Sequence, residues 1–187
     1  MIIYIRSMVC VRCKMAVKSV LKELEIDYTS IDLGVVKLPG DLSDEQYNKL
    51  DTALKYYELE LIDNKRMILV ERVKTLIIEI FRPPHEELQL KLSEYLSKML
   101  DHDYTYMANT FSEMEGQTIE RFYISTRIER AKEMLVYEAL SVKEIAYRLN
   151  YSSESHLCLQ FKKITGKTPK GFKKMYEAGD YMWKTCE

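Results

Sequence analysis

The chain has 187 residues, 47% of them hydrophobic and 30% charged, and its 28 Lys+Arg against 29 Asp+Glu leave a net charge of −1. At roughly 100–200 residues per domain this suffices for one or two small domains, and a balance this apolar and this neutral excludes a disordered polyelectrolyte. No apolar run reaches the roughly 18–20 residues of a membrane helix, and the N-terminus lacks the features of a secretory signal. The expectation is a cytoplasmic protein with no membrane partner, whose four Cys stay thiols in a reducing compartment.

In chain order, residues 2–6 form a short β-branched and aromatic run that reads as a strand. Residues 14–24 set Ala16 or Val17, Val20, Leu21 and Leu24 at helical spacing. Residues 28–38 alternate as a strand does, with Gly34 marking a bulge or bend. Pro39-Gly40 is a turn signal, and Ser43 with Gln46 three residues on has the pattern of a capping box. It opens a helix to about Tyr57 that carries Tyr47, Leu50 and Leu54 on one face. Residues 59–62 supply a last strand. This β-α-β-α-β order predicts a small sandwich with its helices on one face of a sheet.

Residues 66–81 predict a helix with a wide apolar stripe: Met67, Val70, Val73, Ile77, Ile80 and Phe81. Such a stripe packs on the core of the first domain or forms a homodimer interface through this connecting helix. Pro83-Pro84 ends the helix and marks a domain boundary. From there the pattern is helical. Helices are expected over residues 88–99, 104–115 (closed by Gly116), 118–135, 141–149 and 154–164 (closed by Gly166), with Thr168-Pro169 opening a last one. Residues 88–115 and 141–164 each pair two helices across a short turn, as a helix-turn-helix does.

Charge separates the two pairs. Residues 86–120 hold 2 basic and 8 acidic side chains, a net of 2 − 8 = −6, whereas residues 143–174 hold 8 basic and 2 acidic, a net of 8 − 2 = +6. The second pair is the one suited to a polyanion.

The matching positions of the second pair are Ile145-Ala146, Leu149, Tyr151-Ser152, Ser155, Leu157, Phe161-Lys162-Lys163, Gly166, Thr168-Pro169 and Phe172. On these the C-terminal half resembles the double helix-turn-helix of AraC/XylS transcription regulators, with residues 127–135 similar to their linker helix. Phe111, Gly116 and Ile119 fit the first unit. The resemblance implies a sequence-specific DNA-binding regulator whose partner is double-stranded DNA. In that family an Arg usually stands two residues before the helix Phe; here Asn109 and Leu159 take those places. Base contacts are therefore expected from Ser155, His156, Cys158 and Gln160, with Tyr106 and Asn109 in the first unit. Phosphate contacts are expected from Arg127, Lys162, Lys163, Lys167, Lys170 and Lys173. The second unit is expected to dominate.

Met8-Val9-Cys10-Val11-Arg12-Cys13 follows the first strand. Two thiolates at this spacing chelate a soft ion, Cu(I) or Zn, and the helix N-terminus with Arg12 and Lys14 should lower their pKa. The motif resembles that of the heavy-metal-associated domain, a ferredoxin-like fold, with Ser7 where that family has Gly. A glutaredoxin-like half is a second likeness, without its prolines. Met8 and Met15 read as packing residues, and Cys10 and Cys13 also fit a fold in which they merely open the helix.

The expected class is α+β. A small ferredoxin-like βα domain (1–64) is joined by a helix (65–84) to an all-α double helix-turn-helix domain (85–176), followed by a tail (177–187) with Cys186. The N-terminal domain would sense or mediate contacts. The alternative is a soft-metal or redox protein whose helical half binds protein. His85, His102 and His156 fall in different elements, so no catalytic residue and no enzyme is expected.

Overall fold

The computed structural model describes residues 1–82 and 90–179. The Pro83-Pro84 boundary, His85, the start of the helix expected from residue 88, and Cys186 lie outside the described residues. Two compact units are present. The first comprises Met1–Leu76 with Ser93–Gly116, and the second the described residues within 77–92 and 117–187. This division places the first helix-turn-helix pair with the N-terminal sheet.

In the first unit, β1 (Ile2–Arg6), β2 (Ser30–Asp32), β3 (Val35–Lys37) and β4 (Glu60–Ile62) form one sheet in the order β2-β3-β1-β4. Every neighbouring pair is antiparallel. Helix α1 (Val11–Glu23) connects β1 to β2, and α2 (Asp44–Lys55) connects β3 to β4. The single strand expected over residues 28–38 is a hairpin. Leu33-Gly34 turns the chain, with Gly34 at φ +70°, a backbone that an L side chain rarely adopts. The element order is therefore β-α-β-β-α-β.

Side chains on alternate strand positions and on one helix stripe close the core: Ile3, Ile5 and Val36 from the sheet, Val17, Val20 and Leu21 from α1, Leu50 and Leu54 from α2. Met8 belongs to it, at 2% exposure. Met15 does not: at 66% exposure it points away from the core that residues 17, 20 and 21 face, so its expected packing role is corrected. Ser43 caps α2 through a full capping box with Gln46, as the spacing predicts.

Helix α3 (Lys65–Ile80) carries the wide stripe. Leu69, Val70, Val73, Ile77 and Phe81 are buried within the single chain, whereas Met67 and Ile80 are only half-buried. Helix α4 (Leu92–Leu100) and α5 (Tyr104–Glu115) follow. Asp103 caps α5, and Gly116 ends it in the left-handed conformation.

The second unit is organised by α6 (Ile119–Val136). It packs against α7 (Val142–Arg148), α8 (Glu154–Thr165) and α9 (Pro169–Glu177). Its buried side chains include Ile119, Ile128, Ala131 and Leu135, and Ile145, Leu157, Phe161 and Phe172 are buried on the helices it packs against. Phe161 and Phe172 meet edge to face, 5.6 Å between centroids. Ser141, Ser153 and Thr168 cap α7, α8 and α9, each accepting a backbone N–H three residues on.

Candidate nucleic-acid interface

Helix α8 turns Leu157 and Phe161 into the core. With 3.6 residues per turn the opposite arc carries Lys162, Ser155, Leu159, Lys163 and His156, and all five are exposed. Cys158 and Gln160 lie on the flanks and are half-buried. Beyond the helix, Lys167 and Lys170 are exposed and Lys173 is half-buried. Lys162, Lys163, Lys167, Lys170 and Lys173 make no ion pair with any described residue. Four of these ammonium groups, on Lys162, Lys163, Lys167 and Lys170, belong to exposed residues.

Side-chain contacts hold the turn before α8. Ser153 accepts from the His156 N–H at 3.1 Å, and Ser152 Oγ lies 3.0 Å from His156 Nδ1. The imidazole also meets the Tyr151 ring edge to face at 5.4 Å. This leaves Nε2 as the free edge of His156.

Three expected contacts change character. Arg127, expected on phosphate, is turned inward. Its Nε donates to the Leu149 carbonyl at 2.7 Å, its Nη2 donates to the same oxygen, and the guanidinium stacks 3.7 Å above the Tyr151 ring. The carbonyl ends α7 without a continuing helix turn, and Arg127 supplies the missing donors. Gln160, expected on a base, accepts the Tyr151 hydroxyl at 2.6 Å through Oε1, so only its amide NH2 remains. Burial pushes the Cys158 thiol up, as does Glu154, against the opposing charge of Lys170. It is a neutral thiol at the helix flank.

In the first unit Tyr106 and Asn109 are exposed on α5, and Tyr106 stands 6.1 Å from the His102 ring. Two of the acidic side chains of this stretch are held by ion pairs within the chain. Glu113 pairs with Arg66, and Glu115 with Lys74 at 3.3 Å. Lys74 also holds Glu71 at 2.7 Å, and Glu71, only 6% exposed, lies 4.0 Å from Arg6. The charge count gave no sign of these pairs, because their partners lie 41 and 47 residues away in sequence.

Cys10 is the N-cap of α1 and Cys13 lies in its first turn, their sulfurs 3.3 Å apart. The expected lowering of the thiol pKa is corrected for Cys13: burial and the neighbouring Cys10 push it up. Lys14, expected to help, is drawn to Asp32 at 3.9 Å. Among the described residues no group of three or more His, Cys, Asp or Glu stands ready for a metal. No described helix is long and apolar enough to cross a membrane.

Comparison with known proteins agrees with this geometry. Residues 96–175 match the family profile described as a helix-turn-helix domain. An uncharacterized HTH-type transcriptional regulator of Staphylococcus aureus is 36% identical over 90 residues, covering 48% of this chain and 12% of that protein. Another, encoded in the cgkA 5′ region of Pseudoalteromonas carrageenovora, is 34% identical over 74 residues, 40% of this chain and 43% of that protein. The chain thus spans less than half the length of these relatives. Among solved structures, the C-terminal domain of AraT, a response regulator from Geobacillus stearothermophilus, superposes with a TM-score of 0.53 at 21% identity, over 65% of this chain and 97% of that one. The DNA-binding domain of AdpA, solved with a target DNA, gives 0.50 at 21% identity, over 59% and 94%. Residues 96–175 are thus similar to a helix-turn-helix domain, and the fold resembles that of the C-terminal domain of AraT.

Proposed function

We propose that the chain is a transcription regulator that binds double-stranded DNA, chiefly by laying α8 in a major groove. The observation that carries this reading is the exposed arc of α8 with lysines that make no ion pair among the described residues. A helix needs one polar, exposed face to read base edges and flanking cations to hold phosphates. The N-terminal unit serves as a sensing or interaction domain; its strand order β2-β3-β1-β4 supports the ferredoxin-like reading. The test is salt-dependent DNA affinity of the full chain. With about five phosphate contacts, log affinity should fall against log salt with a slope of roughly −4 to −5. A salt-independent affinity would sink the reading.

A second reading concerns Cys10 and Cys13, and the 3.3 Å between their sulfurs favours it. Two sulfurs this close suit joint coordination of one soft ion. With Met8 buried in the core, the donor set from this motif is two thiolates, an open site fit for Cu(I). The ion would be held by Cys10 and Cys13 alone, and loading it releases the thiol protons. Cu(I) titration against a competing chelator checks this: the wild type should withdraw copper, and C10S/C13S should not.

A further inference from the structure

One exposed side chain on the arc of α8 is apolar. Leu159 is 71% exposed and sits at the middle of that arc, with Ser155 and Lys162 on one side and His156 and Lys163 on the other. The Leu157 and Phe161 side chains fill the core behind it. Leu159 therefore contributes little to the packing of its own domain. An isolated surface leucine is ordinary; one ringed by two lysines, a serine and a histidine on the face turned to an anionic duplex is placed where bases are read.

A leucine has no hydrogen bond to offer a base edge. The major groove presents one apolar group, the 5-methyl of thymine. We propose that Leu159 is a specificity-determining residue that packs on a thymine methyl, so that the preferred site carries thymine at the position beneath it. This rests on the reading of α8 as the DNA-binding helix. The lysines supply attraction that is blind to sequence, Ser155 and His156 Nε2 supply polar contacts, and Leu159 supplies a selective apolar one. An α8 with arginine at this position would favour guanine instead.

The experiment first selects a preferred duplex from a random pool with the full chain. Each thymine is then replaced in turn by deoxyuridine, which lacks only the 5-methyl group. For the wild type, one position or two adjacent positions should lose affinity about fourfold, which is what burying one methyl-sized group of roughly 0.8 kcal/mol supplies. For L159A the thymine and deoxyuridine duplexes should bind equally at those positions. A wild type indifferent to deoxyuridine at every position overturns the proposal, as does an L159A chain that keeps the full discrimination. Recovery of no duplex at all, even at low salt, overturns the DNA-binding reading of α8 itself, a result distinct from binding without methyl discrimination.

Discussion

Lys74 of α3 donates to Glu115 of α5 at 3.3 Å, joining two helices that stand 41 residues apart in the chain. The same ammonium holds Glu71 at 2.7 Å, and all three side chains are largely withdrawn from water. Removing the cation from such a cluster leaves carboxylates buried without their counter-charge, which costs several kcal/mol. Lys74→Met should lower the stability of the first unit by about 2–4 kcal/mol, with Arg6, 4.0 Å from Glu71, as partial compensation. Urea unfolding of the full chain, followed by a probe in the sheet, measures it.

Arg127 and the α8 lysines should separate cleanly by salt dependence. Arg127→Ala removes the donors to Leu149 and the stacking on Tyr151, a loss of about 1–3 kcal/mol of domain stability. Below the melting temperature it should leave the salt slope of DNA binding unchanged. Lys162→Gln with Lys163→Gln should do the opposite. The melting curve stays near wild type, and the slope becomes shallower by about 0.9 for each phosphate contact removed. A slope altered by Arg127→Ala would return that residue to the phosphate contacts.

Tyr151 gives the second unit an alkaline limit. Burial pushes its hydroxyl from the usual value of 10.0 up to about 12, against the nearby Arg127 charge, which pulls it down. The folded state thus holds this proton more tightly than the unfolded chain. Its stabilisation is complete below pH 10 and is lost as pH rises towards 12. Wild-type stability should bend downward across that window, and Tyr151→Phe should bend less while losing the hydrogen bond to Gln160. Melting temperatures taken between pH 8 and pH 12, as a round working range, distinguish the two.

Gly34 holds the turn between β2 and β3 at φ +70°, and a Cβ there would come within 3.3 Å of Thr75 Oγ1. Gly34→Ala meets the left-handed penalty of about 1–2 kcal/mol and this tight approach together. The expected outcome is a melting transition lowered by several degrees, read by circular dichroism.

Much of this architecture was legible because it is written in local chemistry. The capping residues Ser43, Asp103, Thr118 and Ser141 stand one residue before their helices, and Gly116 and Gly166 close theirs. What the sequence hid is non-local. Gly34 was visible as an irregularity, but whether a glycine bends one strand or reverses it depends on the pairing partners that the sheet provides. Arg127 looked like a surface cation, because nothing near it in sequence announces the Leu149 carbonyl 22 residues on. The carboxylates of α5 looked like a repulsive block for the same reason. Leu159 was noticed only as a missing arginine, and its exposure needed the orientation of α8.

The pairing of Glu113 with Arg66 and of Glu115 with Lys74 fastens α5 to the helix that leaves the sheet. On the DNA-binding reading, α8 is the chief grip on a duplex, where two equal helices spaced a helical turn apart would span about 10 base pairs centre to centre. A lone half-site is too short a word to mark one promoter in a genome.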